Sequence, residues 1–376
     1  MSTVGPALPT VGGMTPFIYN GAPGRVVFGF GVIAQTPDEV RAQGCRRALV
    51  LSTPQQADAA RDLSERLGEL SVGVFTEATM HTPIDVTERA MALVRQTQAD
   101  CTVALGGGST TGLGKAIALR TDLIQIVIPT TYAGSEATPI LGETVDNLKT
   151  TQRGPKILPE VILYDVDLTL TLPVGLSATS GMNAIAHAVE GLYAQDANPI
   201  VSLIAEEGVR ALGAALPRIV RDPMNREARS DALYGAWACG VVLGSAGMAL
   251  HHKLCHTLGG TFDLPHANVH TVVLPHAAAY NAAAAPLAMA RIARALGVTD
   301  APRGLHDLAR SLNAPLSLRE IGMPESGLDR AADLASSNPY WNPRPIERDA
   351  IRALLDDAYF GRQPAATIPS PKAAHA

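Results

Sequence analysis

Between residues 26 and 167, short runs of β-branched and aliphatic residues alternate with amphipathic stretches of helical period. RRALVLS is followed by QQADAARDLSERLGEL, then VGVF, then VTERAMALVRQTQAD, then CTVALGG. Strands separated by helices of this length read as βαβ units, and therefore as a parallel sheet. Beyond Pro173 the pattern changes. AIAHAVEGLYA, LIAEEGVRALGAALPRIV and RSDALYGAWACGVVLGSAGMALHHKLCHTLGG carry apolar residues at helical spacing with almost no strand signal. The pattern predicts an α/β parallel-sheet domain over 14–172 and an all-α helical domain over 173–362. Residues 1–13, rich in Gly, Pro and Ser, read as a loose extension and 363–376 as a flexible tail. No fixed-period repeat is visible, which argues against a solenoid.

Composition narrows the partners. Of 376 residues 47% are hydrophobic and 17% charged, so the chain buries surface rather than solvating it, and its length favours two domains. A formal charge of -5 and a pI near 6.1 argue against nucleic acid and anionic membrane. Small molecules are the expected ligands. Cys45, Cys101, Cys239 and Cys255 are scattered, with neither a disulfide framework nor a thiolate zinc pattern, and this fits a reducing cytoplasm. The N-terminal segment lacks the basic and apolar regions of a signal peptide, Met14 being an alternative start, and no run of about 18 apolar residues predicts a membrane span.

The first candidate chemistry lies in TVALGGGSTTGLGKAIA. A strand over Thr102–Leu105 meets Gly106, Gly107, Gly108 and Ser109, and a helix is expected to start near Thr110. Glycines let a backbone approach a pyrophosphate, whose charge is met by N–H groups at a helix N-terminus. A bare glycine triplet is as often only a tight turn, and the spacing is not that of a Walker A loop. A second strand in IQIVIPTTYAGSEATP ends at Thr130, Thr131, Tyr132, Gly134 and Ser135. Hydroxyls at the carboxyl end of a parallel strand sit where nucleotides bind in open α/β folds. Ser52 and Thr53 end an earlier strand with no acidic residue, so NADH and NADPH are both expected to serve. Lys156 completes the candidate cofactor contacts.

The second lies in HHKLCHTLGGTFDLPHANVHTVVLPH, which holds six of the ten histidines. Asn183 and His187 are four apart in a helical pattern, as are His252 and His256, so each pair shares a helix face. His266 follows Pro265. Two such pairs and a third element can converge on one point, as a metal site or a proton-handling site. His251, His270, His276, His81, His306 and His375 read as structural.

GGGST, IPTTYAGSEATP, GMNAIAHAVEGLYA and the histidine stretch together resemble the iron-containing alcohol dehydrogenase family over almost the whole chain after Met14. The resemblance implies a Rossmann-like N-terminal domain, an α-helical C-terminal domain as in dehydroquinate synthase, a cleft between them, and often a homodimer. It implies metal ligands at the positions of Asn183, His187, His252 and His266, with a carboxylate where Asn183 stands. His256 matches a histidine beside the nicotinamide. TPFIYNG, IPTTYAGSEATPI and SSNPYWNPRPI most resemble the branch of the family that reduces the double bond of maleylacetate to 3-oxoadipate in aromatic degradation. Halogenated forms of that substrate are left open.

A ketone reductase must stabilise an alkoxide, which a Lewis acid does well. Hydride addition to an enone gives an enolate, whose charge is spread and which hydrogen-bond donors can stabilise. Asn183 therefore points to a site with no essential metal, in which His187, His252, His256 and His266 act as donors or proton carriers. Tyr132, Asn183, Lys253, Tyr340 and Arg344 are the candidate substrate contacts, with packing or a solvated charge as the plain alternative for the tyrosines and cations. The rival readings are an iron- or zinc-dependent alcohol dehydrogenase, a lyase like dehydroquinate synthase, and a dinucleotide sensor without activity.

Overall fold

A computed structural model describes residues 17–364, except 20, 22, 23, 146, 147, 338 and 339. The extension over 1–13 and nearly all of the tail lie outside the described residues. Strands β1 (Arg25–Gly29), β2 (Ala48–Leu51), β3 (Ser71–Phe75), β4 (Cys101–Gly106), β5 (Ile124–Pro129) and β8 (Val161–Asp165) form a parallel sheet in the order β1-β8-β5-β4-β2-β3. An antiparallel hairpin, β6 (Ile140–Val145) and β7 (Leu148–Arg153), is inserted before β8. Helices α1 (Thr36–Ala42), α2 (Ala57–Leu67), α3 (Ile84–Thr97) and α4 (Gly108–Thr121) cover the sheet.

Alternation along the strands sets the layers. Val50, Val103 and Ile126 pack with Leu63 of α2, while Leu49, Leu51 and Val127 pack with Ala90 of α3 and Leu113 of α4 on the other face. Helices α2 and α4 therefore leave neighbouring strands β2 and β4 on opposite faces. The crevice at the carboxyl ends of those two strands is the topological switch point, the usual ligand site of open α/β sheets.

Among the described residues nine α-helices follow: α5 (Val174–Leu192), α6 (Pro199–Arg221), α7 (Arg226–Ser245), α8 (Leu250–Phe262), α9 (His266–Asn281), α10 (Pro286–Leu296), α11 (Ala301–Ser311), α12 (Leu328–Ser336) and α13 (Arg348–Phe360). Helix α5 is the axis of this domain, buried at every position from Ser177 to Leu192. Its Ala- and Gly-rich sequence lets neighbours approach closely on all sides. The Ala-rich stretch expected to run on into the histidines breaks instead: α7 and α8 meet at 98°. The break is stapled by Gly247 N–H donating to Asp196 Oδ1 at 2.8 Å and Ala249 N–H to Glu190 Oε2 at 2.9 Å. Among the described residues no single helix is long and apolar enough to cross a membrane.

The two domains are locked at the loop after β5. Gly134, with φ +75, presses on the backbone of α7, where a Cβ would lie 3.0 Å from Ala236 O. Arg229 of α7 is fully buried with no carboxylate beside it. Its guanidinium donates to Tyr132 Oη at 3.2 Å, Ser177 Oγ at 2.7 Å and the carbonyls of Leu172 and Pro223 at 3.0 Å.

Candidate active site

At the switch point the glycine turn and the loop after β5 form one cradle. Gly107 is the N-cap of α4 and brings no side chain to cap it. A Cβ on Gly107 would meet Thr131 Cγ2 at 2.9 Å, whereas one on Gly108 would meet only Ser135 Oγ, at 3.8 Å. Gly107 is thus required by the neighbouring loop, and Gly108 keeps open space at the first turn of the helix. The N–H groups there have the arrangement that binds a pyrophosphate. Ser109, Thr131 and Thr53 line the same edge, half-buried. The buried Ser135 Oγ makes no hydrogen bond within the protein. Thr130 Oγ1 receives Gln56 Nε2–H at 3.1 Å. The loop is held from below by Lys115, whose buried ammonium donates to Ser135 O at 2.6 Å, Thr138 O at 2.7 Å and Ile140 O at 2.9 Å. These features fit a dinucleotide.

Two expected cofactor contacts are corrected. Ser52 is fully buried and its hydroxyl donates to Leu105 O at 2.8 Å, tying β2 to β4. Lys156 pairs with Asp122 at 3.1 Å, beyond the far end of α4. That is about 20 Å from the glycine turn along a helix of this length.

Three helices bring the histidines together. Helix α5 presents Asn183, His187 and Glu190 on one stripe, α8 presents His252 and His256, and α9 presents His266 and His270. The rings of His187 and His252 lie 5.2 Å apart, those of His252 and His256 6.2 Å, and those of His256 and His266 6.5 Å. His256 is exposed and His266 half-buried, so these two face the cleft while His187 and His252 sit deeper. His251 and His270, expected to be structural, belong to the cluster. The His270 ring is 4.3 Å from His266 and 5.0 Å from His252, and its Nδ1 is 3.0 Å from His251 Nε2. Sequence reasoning missed them because neighbouring histidines on a helix point to different sides. Only the 98° turn into α8 brings both sides against α5 and α9.

Glu190 was also missed, although its spacing from His187 was available. Its carboxylate is fully buried and accepts His252 Nδ1–H at 2.7 Å, His251 N–H at 2.8 Å, Ala249 N–H at 2.9 Å and His252 N–H at 3.3 Å. Burial pushes this carboxyl up, but the bond from His252, its charge and the backbone donors outweigh that and hold it at about 2. Burial, reinforced by neighbouring imidazoles, pulls His187 and His270 well below the ordinary histidine value and His251 down to about 3. These three rings are neutral at pH 7. Asn183 Oδ1, His187 Nδ1 and His252 Nε2 are buried and make no hydrogen bond within the protein.

Of the other expected substrate contacts, Lys253 and Tyr340 come together beside α8, the ammonium 5.8 Å from the ring centre. The Tyr340 hydroxyl is buried without a partner in the protein. Tyr132 and Arg344 follow the plain alternative. Tyr132 is fully buried under Arg229. Arg344 stacks at 4.0 Å on Tyr280, at the far end of α9 from His266, and donates to its carbonyl.

The positions that resemble metal ligands hold a neutral amide and three imidazoles. Among the described residues, the groups of His, Cys, Asp or Glu ligand atoms gathered within 4.8 Å are His251–Cys255–His270 and Cys45–Asp100–Cys101. His187, His252 and His266 are not such a group as their side chains stand, and Asn183 adds no charge, so a cation there would be held by neutral donors alone.

Sheet, switch-point cradle and histidine cleft define a two-domain oxidoreductase fold, and the chain belongs to the iron-containing alcohol dehydrogenase family. The family model described as iron-containing alcohol dehydrogenase matches residues 23–166, and that for the Fe-containing alcohol dehydrogenase family, C-terminal, matches 177–359. Within the family the chain is 58% identical to a maleylacetate reductase of Rhizobium sp. (strain MTP-10005), and 57% identical to one of Burkholderia cepacia. Each match spans 351 residues, 93% of this chain and 100% of the relative. The crystal structure of maleylacetate reductase from Agrobacterium tumefaciens matches with a TM-score of 0.91 at 59% identity, over 93% of this chain and 100% of that one.

Two outcomes are expected. Gly108→Val should fold, because its Cβ has room, and should lower NADH affinity at least about tenfold by occupying the cradle. Unchanged affinity by calorimetry in a folded variant would return the turn to a purely structural role. Glu190→Gln places an amide N–H among donors and should cost about 3–5 kcal/mol in denaturant unfolding. The folded carboxyl is held below its ordinary value of 4.5, so its contribution is fully present above that pH and is lost as pH falls toward 2. The stability gap between parent and variant should therefore close across that window. A gap independent of pH would contradict the assignment.

Proposed function

We propose that this protein reduces the carbon–carbon double bond of maleylacetate to 3-oxoadipate with NADH or NADPH, following ring cleavage of aromatic compounds. The observation that carries the reading is the make-up of the site wall. Imidazoles stand there beside a neutral Asn183, and the carboxylate behind them, Glu190, is buried and saturated with donors. Such a wall suits a dianionic substrate and an enolate better than a carboxylate-bearing one. The maleylacetate reductases it resembles over their whole length support the same substrate.

Bound reduced nicotinamide supplies the hydride. Glu190 fixes His252 with Nδ1–H bonded and Nε2 directed away from the carboxylate. His187, and His252 when it carries a second proton on Nε2, are placed to donate to the carbonyl oxygen of the enone, where charge grows as the enolate forms. One such donor is worth about 3 kcal/mol. His256 and His266, at the cleft, are placed to deliver a solvent-derived proton to the carbon next to that carbonyl. Lys253 and Tyr340 offer a cation and a hydroxyl to a substrate carboxylate. Thr53 is neutral at the end of β2, so charge bars neither cofactor. Four free, buried cysteines fit a cytoplasmic setting. Exposed apolar side chains on β1 and on α6 and α7, among them Phe28, Leu203 and Tyr234, support a homodimer.

A metal-dependent alcohol dehydrogenase remains the second reading, because a carboxylate behind an imidazole whose other nitrogen is unbonded is also how metal-binding histidines are commonly held. Exhaustive chelation separates the two. NADH oxidation with maleylacetate should survive it, with elemental analysis showing the metal gone, and NADPH should serve within about a thousandfold, roughly 4 kcal/mol. Activity that vanished and returned with zinc or iron would refute the metal-free site.

A further inference from the structure

Two of the six clustered histidines have no part in the reaction as described. His251 and His270 are both fully buried, on α8 and α9, and their Nε2 and Nδ1 atoms lie 3.0 Å apart. One of these nitrogens must carry the proton and the other must accept it. Cys255 Sγ lies 3.6 Å from His251 Nε2 and 4.0 Å from its Nδ1, a weak partner beside a strong one.

The surrounding atoms decide the direction. His252, donating through Nδ1 to Glu190, presents an acceptor at Nε2 when neutral, and Asn183 Oδ1 is another acceptor. Both are buried without a partner in the protein. His270 Nε2 is a third buried atom without one. Were it also a bare lone pair, three acceptors would be buried in one cluster, with His187 Nδ1 the one unpartnered nitrogen beside them left to carry a proton, which is costly. A proton on His270 Nε2 makes one of the three a donor, which eases the repulsion among their lone pairs, and leaves Nδ1 to accept from His251.

We propose that His251 and His270 form a buried positioning pair, in which His251 Nε2–H donates to His270 Nδ1 and so fixes the tautomer and ring angle of His270. His270 in turn sets the orientation of the catalytic rings packed on it, His266 at 4.3 Å and His252 at 5.0 Å. The pair touches no reacting atom; it acts by holding imidazoles that do. Helix α8 thereby supplies both layers, since Glu190 holds the backbone of His251 and His252 together. The proposal rests on the maleylacetate-reducing reading for its kinetic consequence, but not for its hydrogen bond.

The test compares His251→Phe, which keeps a ring without a donor, with His251→Gln, whose side-chain amide can place an N–H near the lost Nε2–H. His251→Phe should lower kcat about a hundredfold, the cost of misplacing a catalytic group by about an ångström. Its NADH affinity should be unchanged, and His251→Gln should recover most of the loss. Equal losses in the two variants, or none in either, would overturn the pair. Should His251→Phe fail to fold, or the parent enzyme prove inactive with maleylacetate, nitrogen-15 histidine spectra of the parent still decide. His270 should be protonated at Nε2 and bare at Nδ1, and the opposite tautomer would overturn the assignment. An inactive parent would by itself count against the substrate reading alone. One zinc per chain, lost on Cys255→Ala, would also overturn the pair and make His251, Cys255 and His270 a metal site.

Discussion

Glu190 is the fixed point of this site. A carboxylate buried on the central helix of a domain requires donors, and here they are three backbone N–H groups at the start of α8, one imidazole and, at 3.4 Å, the Tyr193 hydroxyl. Satisfying that one charge ends α7, begins α8 at a steep angle, and sets His251 and His252 on two sides of the new helix. The histidines therefore converge because a charge elsewhere on α5 must be met. Asn183 and His187 lie on the same stripe, two turns and one turn earlier, and so face the same space.

The opposite wall of the cleft is fixed by backbone rather than by charge. Gly107 and Gly108 bring the first turn of α4 against the loop after β5, and Lys115 holds that loop by its carbonyls. The same loop is clamped to the helical domain through Gly134 and through Tyr132 under Arg229. Dinucleotide cradle and histidine cluster are thus parts of one framework. A side chain such as Tyr132, which lies near both in sequence, is consumed in joining them.

The fold was largely legible in the chain. The alternation of runs such as ALVLS with amphipathic helices carries the parallel sheet, because each buried strand and each one-faced helix has its own period. The glycine cradle and the pairs Asn183/His187 and His252/His256 were legible for the same reason. The break between α7 and α8 was not, since SAGMA contains no proline and its N–H groups are satisfied by Asp196 and Glu190, about 50 residues or more away along the chain. Hence His251, His270 and Glu190 were missed, while Arg344 and Lys156 were assigned to sites away from the partners they have here, Tyr280 and Asp122. Local spacing shows which side chains share a face; it does not show which face a distant charge will claim.

A cleft with this chemistry, as proposed, stabilises an enolate and not an alkoxide. The most direct measurement is the position of the label in the product when maleylacetate is reduced with NADH carrying deuterium at the transferred position. Deuterium should appear in 3-oxoadipate on the carbon two bonds from the keto group, with that keto group intact. Deuterium on the former keto carbon, in a hydroxy acid, would contradict the account and return the histidines to carbonyl reduction.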